Sequence, residues 1–511
     1  MSVASEACEV DRFRNIVERR LGLQFEDAKL GFLGDLLRQR ISANGHACEI
    51  YLGNLEAGVS RNELNALVQE LTVPETYFFR NMDQFRVFSE VVLPSRLRAQ
   101  ESYKQLRFLS AACASGEEAY TLAILLREVS ADPSWDVSIL GIDVNHAVLE
   151  KALRARYSTW ALRETPLAVQ RRWFRSEGRE MVLDETIRTS VHFEAHNLVE
   201  DDPGVWQPET YDAIFCRNVI MYFTQEASKA VVARLTRALA PGGYLFLGHA
   251  ETLRGLSHDF HLHHTHGTFY YQRKEGTDQA AKRFSTGMVT VSTNASTTLA
   301  TIVDESSTWI DAICTATERV QALTVVPKRP ALPDRSIPLA YAGPRWDLCI
   351  PLDLLRTEQF TEALDVVQAL PPESANDPDV LLLQAVLLAH SGQLAPAEDV
   401  CRRLLKIDEL NSGAHYVLAL CREGARDQSA AANHDQVAVY LDPAFAMPRL
   451  HLGLLARRAG DSDNARRELG QALALLQRED ASRLLLFGGG FNREALLGLC
   501  RAELIACGGK P

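Results

Sequence analysis

Four short runs of this chain hold residue types that could cradle a nucleotide-like ligand. In FLSAACASGEEAY (Phe108–Tyr120) apolar residues lead into a small-residue loop with one glycine, and a helix then opens on Ser115, Gly116, Glu117 and Glu118. Small side chains let the backbone approach a ligand, while the helix amino-terminus and nearby acids fix its polar parts. Asp143 ends the next strand and suits a ribose diol. His196-Asn197-Leu198 follows a third strand, where an amide and an apolar residue can flank an adenine. The run CRNVIMYF occupies 216–223 at the tip of a fourth. The G-x-G-x-x-G spacing that suits a pyrophosphate is missing. The expected ligand is therefore an adenosine without phosphates, and a nicotinamide oxidoreductase fails on the same ground.

Such residues converge only if a parallel sheet holds them at its carboxyl edge. The segments QLRFLSAA, DVSILGID, VHFEAHNL, YDAIFCRN and GYLFLGHA read as strands, with an edge hairpin around GTFYYQR. Helices EEAYTLAILLREV, AVLEKALRARY and ASKAVVARLTRALA alternate with them, a rhythm that predicts a sheet covered on both faces. Ahead of it, VDRFRNIVERRLGL and AKLGFLGDLLRQRI carry helical spacing, and Ser60-Arg61-Asn62-Glu63 is a capping-box start for a third helix. Residues 275–345 are rich in Ser, Thr and Pro and read as a disordered linker, with one short helix near Trp309–Leu323. Beyond it Ala363, Ala397, Ala431 and Ala465 recur every 34 residues. Ala385, Ala419 and Gly453 repeat that period, as do Asp408 and Asp442. This is the spacing of tetratricopeptide helix pairs, whose arrays present a peptide-binding groove. The expected domains are thus 1–85 helical, 86–274 α/β, 275–345 linker and 346–511 repeats.

Composition narrows the function classes. The 511 residues carry a formal net charge of -12, with no dense Lys/Arg run, which weighs against nucleic acid as a partner. Ten scattered cysteines without a CxxC pair, no apolar leader and no long apolar stretch predict a cytoplasmic protein without membrane insertion. His258, His261, His263, His264 and His266 crowd nine residues, but alternation in a strand spreads them over both faces, so no metal site is expected. Arg12, Arg14, Arg19, Arg20, Lys29, Arg38 and Arg40 give the first helices positive faces that serve either docking or plain solvation beside Glu18, Glu26, Asp27 and Asp35.

In order, LTVPETYFFR, SGEEAY, GID, HNL, AIFCRNVIMYF and LAPGGYLFLGHAE resemble the CheR-type chemoreceptor methyltransferases, over about residues 1–274. The resemblance implies a Rossmann-like methyltransferase domain behind a small helical domain, with a β-subdomain near 157–195. It implies S-adenosylmethionine as cofactor, S-adenosylhomocysteine as product, and methyl esters formed on glutamates of a receptor's cytoplasmic helical bundle. Carried over by position, Thr76 and Arg80 lie against the cofactor and the transferring methyl. Glu117 or Glu118 supplies a carboxylate at the methionine end, and Asp143 takes the ribose. Asn197, Leu198, Arg217 and Asn218 complete the pocket, while Arg80 and Tyr222 hold the substrate carboxylate. Pro74 stands where the family commonly has Asn, which removes a hydrogen bond worth about 0.5–1.5 kcal/mol. The loop around Gly178 is short and resembles members that need no receptor tail peptide, so targeting is expected from the repeats, whose partner is unnamed. Two rivals stand: methylation of RNA, DNA or a small molecule, whose usual N-P-P-Y element is replaced here by CRNV, and a cofactor-sensing scaffold without catalysis.

Overall fold

The computed structural model describes residues 3–59, 61–129, 132–275 and 346–509. The linker expected over 275–345, with its helix near Trp309–Leu323, lies outside them but for residue 275. The chain forms two units, residues 1–288 and 289–511.

In the first unit, α1 (Val3–Leu21), α2 (Leu30–Asn44), α3 (Cys48–Ala57) and α4 (Arg61–Leu71) pack around Phe13, Ile16, Leu33, Leu52 and Val68. Helix α3 was not expected: it is short, and Gly45 and Gly58 cap the preceding helix and its own end in the left-handed region, so its apolar stripe spans little more than a turn. Residues 61–71 thus form the fourth helix. Ser60, and with it the expected capping box, lies outside the described residues; the Glu63 carboxylate accepts from Arg40, Asn44 and Tyr51.

Helices α5 (Met82–Val87) and α6 (Leu93–Ala99), joined by a π-helical turn over Phe88–Val92, lead into the sheet. Its strands are β1 (Gln105–Ala111), β2 (Asp136–Asp143), β6 (Val191–Ala195), β7 (Tyr211–Cys216), β8 (Leu239–Leu247), β9 (Phe260–Thr265) and β10 (Thr268–Arg273). Among the described residues they run in the order β6-β2-β1-β7-β8-β10-β9, parallel from β6 to β8 and closed by the antiparallel hairpin β9–β10. Helices α7 (Glu117–Val129), α8 (His146–Arg154) and α11 (Gln225–Ala238) are the crossovers. Two expected helices end early. Ala155 at φ 50 stops α8, and Leu239 already pairs with Tyr211 in β8. A second sheet of order β3-β5-β4 joins β3 (Arg156–Ser158), β4 (Phe174–Glu177) and β5 (Glu180–Leu183), with α9 (Leu167–Trp173) and α10 (Glu185–Arg188) beside it. Gly178, at φ 64, turns the β4–β5 hairpin.

Three histidines of β9 and its turn meet different neighbours: His263 stacks on Tyr270, His264 on Phe269, and His266 meets Glu90. Among the described residues no cluster of three His, Cys, Asp or Glu suits a metal, and no helix is long and apolar enough to cross a membrane.

The second unit is an array of antiparallel tetratricopeptide-type helix pairs. Pro378–His390 packs on Leu394–Ile407, Ser412–Gly424 on Gln428–Leu441, and Ala446–Arg458 on Ser462–Leu476, ahead of a terminal helix Arg493–Ala506. The 34-residue ladders are contact points: Ala363, Ala397, Ala431 and Ala465 are wholly buried, and a Cβ on Gly453 would come within 2.6 Å of Leu469. One feature has no signature in the repeat. Buried His451 lies 2.7 Å from Asp435 and 3.1 Å from Glu423, and although burial opposes its charge, the two acids raise its pKa to about 9.

Candidate functional site

Beyond β1 the chain crosses to β2 on one side and later returns to β7 on the other, which opens a crevice at the carboxyl ends of these strands. The loop after β1 is bent sharply, with Ala112, Ala114 and Gly116 all at positive φ. Asp143 holds it there: one carboxylate oxygen accepts the Ala114 N–H at 2.9 Å, the other the Asn145 N–H at 2.8 Å. Burial pushes the Asp143 pKa up, and these backbone donors oppose the shift. A side chain on Gly116 would strike Ala152 at 2.8 Å.

The crevice encloses a cavity of about 220 Å³. Pro74, Thr76, Arg80, Glu118, Asp143, Asn197, Leu198, Arg217, Asn218 and Tyr222 all line it, as do Cys113 and His196. Glu117 is the one candidate that does not. It turns away from the cavity, buried, and accepts from Ser115 Oγ at 2.8 Å. Of the two acids left open, Glu118 is the one that lines the cavity.

Burial raises the Glu117 pKa to about 7, against an ordinary 4.5. The unfolded chain therefore ionises this group first as pH rises, so Glu117 costs stability between about pH 4.5 and 7 and above. Glu117→Gln is expected to raise the thermal midpoint by a few degrees at pH 8, by about 1–3 kcal/mol, with the gain shrinking toward pH 5. Melting curves at the two pH values check this, and a gain independent of pH would refute it.

Glu118 accepts from Ser110 Oγ at 2.7 Å and pairs with Arg217 at 3.0 Å, both partners little exposed. Arg217 also donates to the Arg80 carbonyl at 2.6 Å and lies over the Phe85 ring. Burial pushes its guanidinium below the ordinary arginine range, and Glu118 opposes that. Arg80 itself donates to the Glu75 carbonyl at 2.9 Å. Tyr222 stands at the rim, 48% exposed.

Asn197 is more engaged than a ligand-facing amide need be: it donates to the Arg20 carbonyl at 2.8 Å and accepts from Val199 N–H at 3.3 Å. It thereby joins α1 to the cavity wall. So does a bridge between Leu23 and Phe223, where Gln24 N–H donates to the Tyr222 carbonyl and Thr224 N–H to the Gly22 carbonyl, both at 2.8 Å. Gly22 must be glycine, since φ is +72° and a Cβ would meet Val199 at 2.6 Å.

The residue that sequence reading missed is Glu251. Buried beyond β8, its carboxylate accepts backbone N–H groups from Asn218 at 2.7 Å, Val219 at 2.8 Å, Met221 at 3.2 Å and Gly248 at 2.7 Å. This acid shapes the whole CRNVIMYF turn, including Asn218 at φ 60. The arginines of the first helices are mostly spent internally, Arg12 on Glu49 and Glu56, Arg14 on Asp11 and Asp27, and Arg40 on Glu63.

Residues 74–269 match the family described as CheR methyltransferase, SAM binding domain. A relative from Vibrio cholerae, "Chemotaxis protein methyltransferase 2", is 33% identical over 275 residues, 52% of this chain and 93% of its own. One from Pseudomonas aeruginosa, "Probable biofilm formation methyltransferase WspC", is 27% identical over 459 residues, 89% of this chain and 96% of its own. Of solved structures, a thermophilic tetratricopeptide protein of Thermus thermophilus matches 31% of this chain and 87% of its own at 22% identity, with a TM-score of 0.25.

Proposed function

The chain belongs to the CheR methyltransferase family, and on that premise we propose that it methylates glutamate side chains of a chemoreceptor's cytoplasmic helical bundle. S-adenosylmethionine is the cofactor, and the cavity's donor set fits it. Glu118 on α7 and Asp143 on β2 bring two carboxylates to one cavity, suited to an ammonium and a ribose diol. Ala112 and Ala114 leave room between them, and His196 offers a buried Nε2 with no hydrogen-bond partner among the described residues. When bound, the cofactor supplies a methyl group activated on a positively charged sulfur.

The chain's own residues need only place the acceptor. A glutamate side chain is ionised at pH 7, so no general base is required. In-line placement of that carboxylate is the task, a proximity effect. Arg80 supplies a guanidinium at the cavity and Tyr222 a hydroxyl at its rim. A tyrosine hydroxyl orients the carboxylate without damping its nucleophilicity as a tight ion pair would. The observation that carries the reading is that these two groups line the same cavity as Glu118 and Asp143, with Tyr222 half exposed where a macromolecular acceptor can reach it.

On this reading the protein works in the cytoplasm, the division into domains 1–85, 86–274 and 346–511 separates acceptor-facing, methyl-transferring and targeting parts, and the repeats bind a protein partner. The test is transfer of label from methyl-labelled S-adenosylmethionine to receptor cytoplasmic fragments. Base-labile label on the receptor supports the enzyme. Cofactor binding without label favours a sensing scaffold instead. Tyr222→Phe, which removes one hydrogen bond of about 1 kcal/mol, is expected to lower kcat/KM roughly five- to tenfold and leave S-adenosylhomocysteine affinity unchanged. Full activity in that variant would remove Tyr222 from the acceptor clamp.

A further inference from the structure

We propose that Arg163, stacked on Tyr77 beside Arg80, forms a second carboxylate subsite next to the methyl-transfer cavity, which reads an acid three or four residues from the acceptor glutamate on the same helix. This rests on the acceptor reading above and adds a residue that sets specificity around the acceptor. The segment Thr76–Arg80 is tied to the turn Thr159–Arg163 by Phe78 N–H, which donates to the Ala161 carbonyl at 2.9 Å. Across that seam the Arg163 guanidinium lies 3.5 Å from the Tyr77 ring centroid and 4.5 Å from that of Trp160. Arg80, a cavity residue, lies 5.7 Å from the same Tyr77 centroid. The two guanidinium carbons are therefore no further apart than those two distances laid end to end.

Stacking fixes a guanidinium in plane and leaves its N–H edge free to meet a carboxylate. Arg163 spends one nitrogen on the Trp160 carbonyl, at 3.0 Å. Among the described residues neither Arg163 nor Arg80 has a carboxylate within ion-pair distance, whereas Arg12, Arg40, Arg96 and Arg217 each do. Glu164, next to Arg163 in the chain, faces the Tyr77 hydroxyl, and burial together with that carboxylate raises the tyrosine pKa. Two cations without acid partners over one ring call for two anions. Glutamates three or four residues apart on a helix have Cβ atoms about 5–6 Å apart, a spacing this pair can span. One carboxylate would enter the cavity at Arg80 while its neighbour rests on Arg163. Trp160, 69% exposed, offers an apolar ledge to the same helix.

The experiment measures initial rates of the purified full chain with S-adenosylmethionine and two helical peptides. One carries glutamates four residues apart; in the other, one of the two is glutamine. Wild type is expected to favour the paired peptide by roughly threefold in kcat/KM, through KM, as suits one partly exposed ion pair. Arg163→Gln is expected to bring that ratio to about one, and Arg163→Lys to restore part of it. S-adenosylhomocysteine affinity stays unchanged in both, since Arg163 does not line the cavity. Equal rates on the two peptides with wild type, or an equal loss on both in Arg163→Gln, would reduce Arg163 to a packing residue while the acceptor reading survives. No transfer to either peptide would overturn both.

Discussion

Glu251→Ala is expected to lower methyl transfer about thirtyfold or more, although Glu251 does not line the cavity. Its carboxylate gathers four backbone N–H groups from the turn that presents Asn218 and Tyr222, and from Gly248 beneath it. Each buried donor left without an acceptor costs about 1–3 kcal/mol. Even if water or local relaxation satisfied half of them, the turn would lose about 2 kcal/mol or more. Asn218, at φ 60, would then lack the anchor that holds it in the left-handed region. The sharper variant is Glu251→Gln. It keeps size and polarity but aims an amide NH₂ at N–H donors, so it should impair the enzyme nearly as much as alanine. Transfer assays, S-adenosylhomocysteine titration and melting curves on the full chain check this together. A Glu251→Gln protein within threefold of wild-type activity would sink the assignment.

Arg217→Met is expected to cost about 3–5 kcal/mol of stability, the usual penalty for removing one member of a buried ion pair. The pair is Arg217 with Glu118 at 3.0 Å, side chains 3% and 13% exposed. Methionine fills much of the volume but leaves the Glu118 carboxylate with Ser110 as its remaining named partner. The double variant Glu118→Leu/Arg217→Met removes the stranded charge as well, and should be more stable than Arg217→Met alone. It should nevertheless fail to bind S-adenosylhomocysteine, because Glu118 is the acid that faces the cavity. The cycle thus separates what the pair does for the fold from what its acid does for the ligand. A double variant no more stable than the single one would contradict the argument.

Much of the sheet was legible in the sequence because short apolar runs, each ending in small or polar residues, mark strands and their tips. The repeats were legible because Ala363, Ala397, Ala431 and Ala465 sit where helices touch, and a contact point tolerates only small side chains. Other features were not readable for definite reasons. Glu117 and Glu118 are adjacent in the first turn of α7, and only tertiary burial decides which one faces the cavity. Glu251 stands in the quoted run LAPGGYLFLGHAE, yet a carboxylate that serves backbone N–H groups leaves no spacing to recognise. Arg163 gains its meaning from Tyr77, which lies in another segment of the chain. Helix α3, framed by glycines, has too few apolar residues to show a period.

The bridge from Leu23 to Phe223 also sets a schedule for the ribosome. Its two halves are two hundred residues apart in the chain, a gap of about 10–40 s at translation rates of roughly 5–20 residues per second. Over that interval the opening helices wait without the partner that Gly22 is shaped to receive. Their own apolar centre around Phe13, Leu33 and Leu52 gives the opening helices a core to bury before the turn carrying Tyr222 emerges.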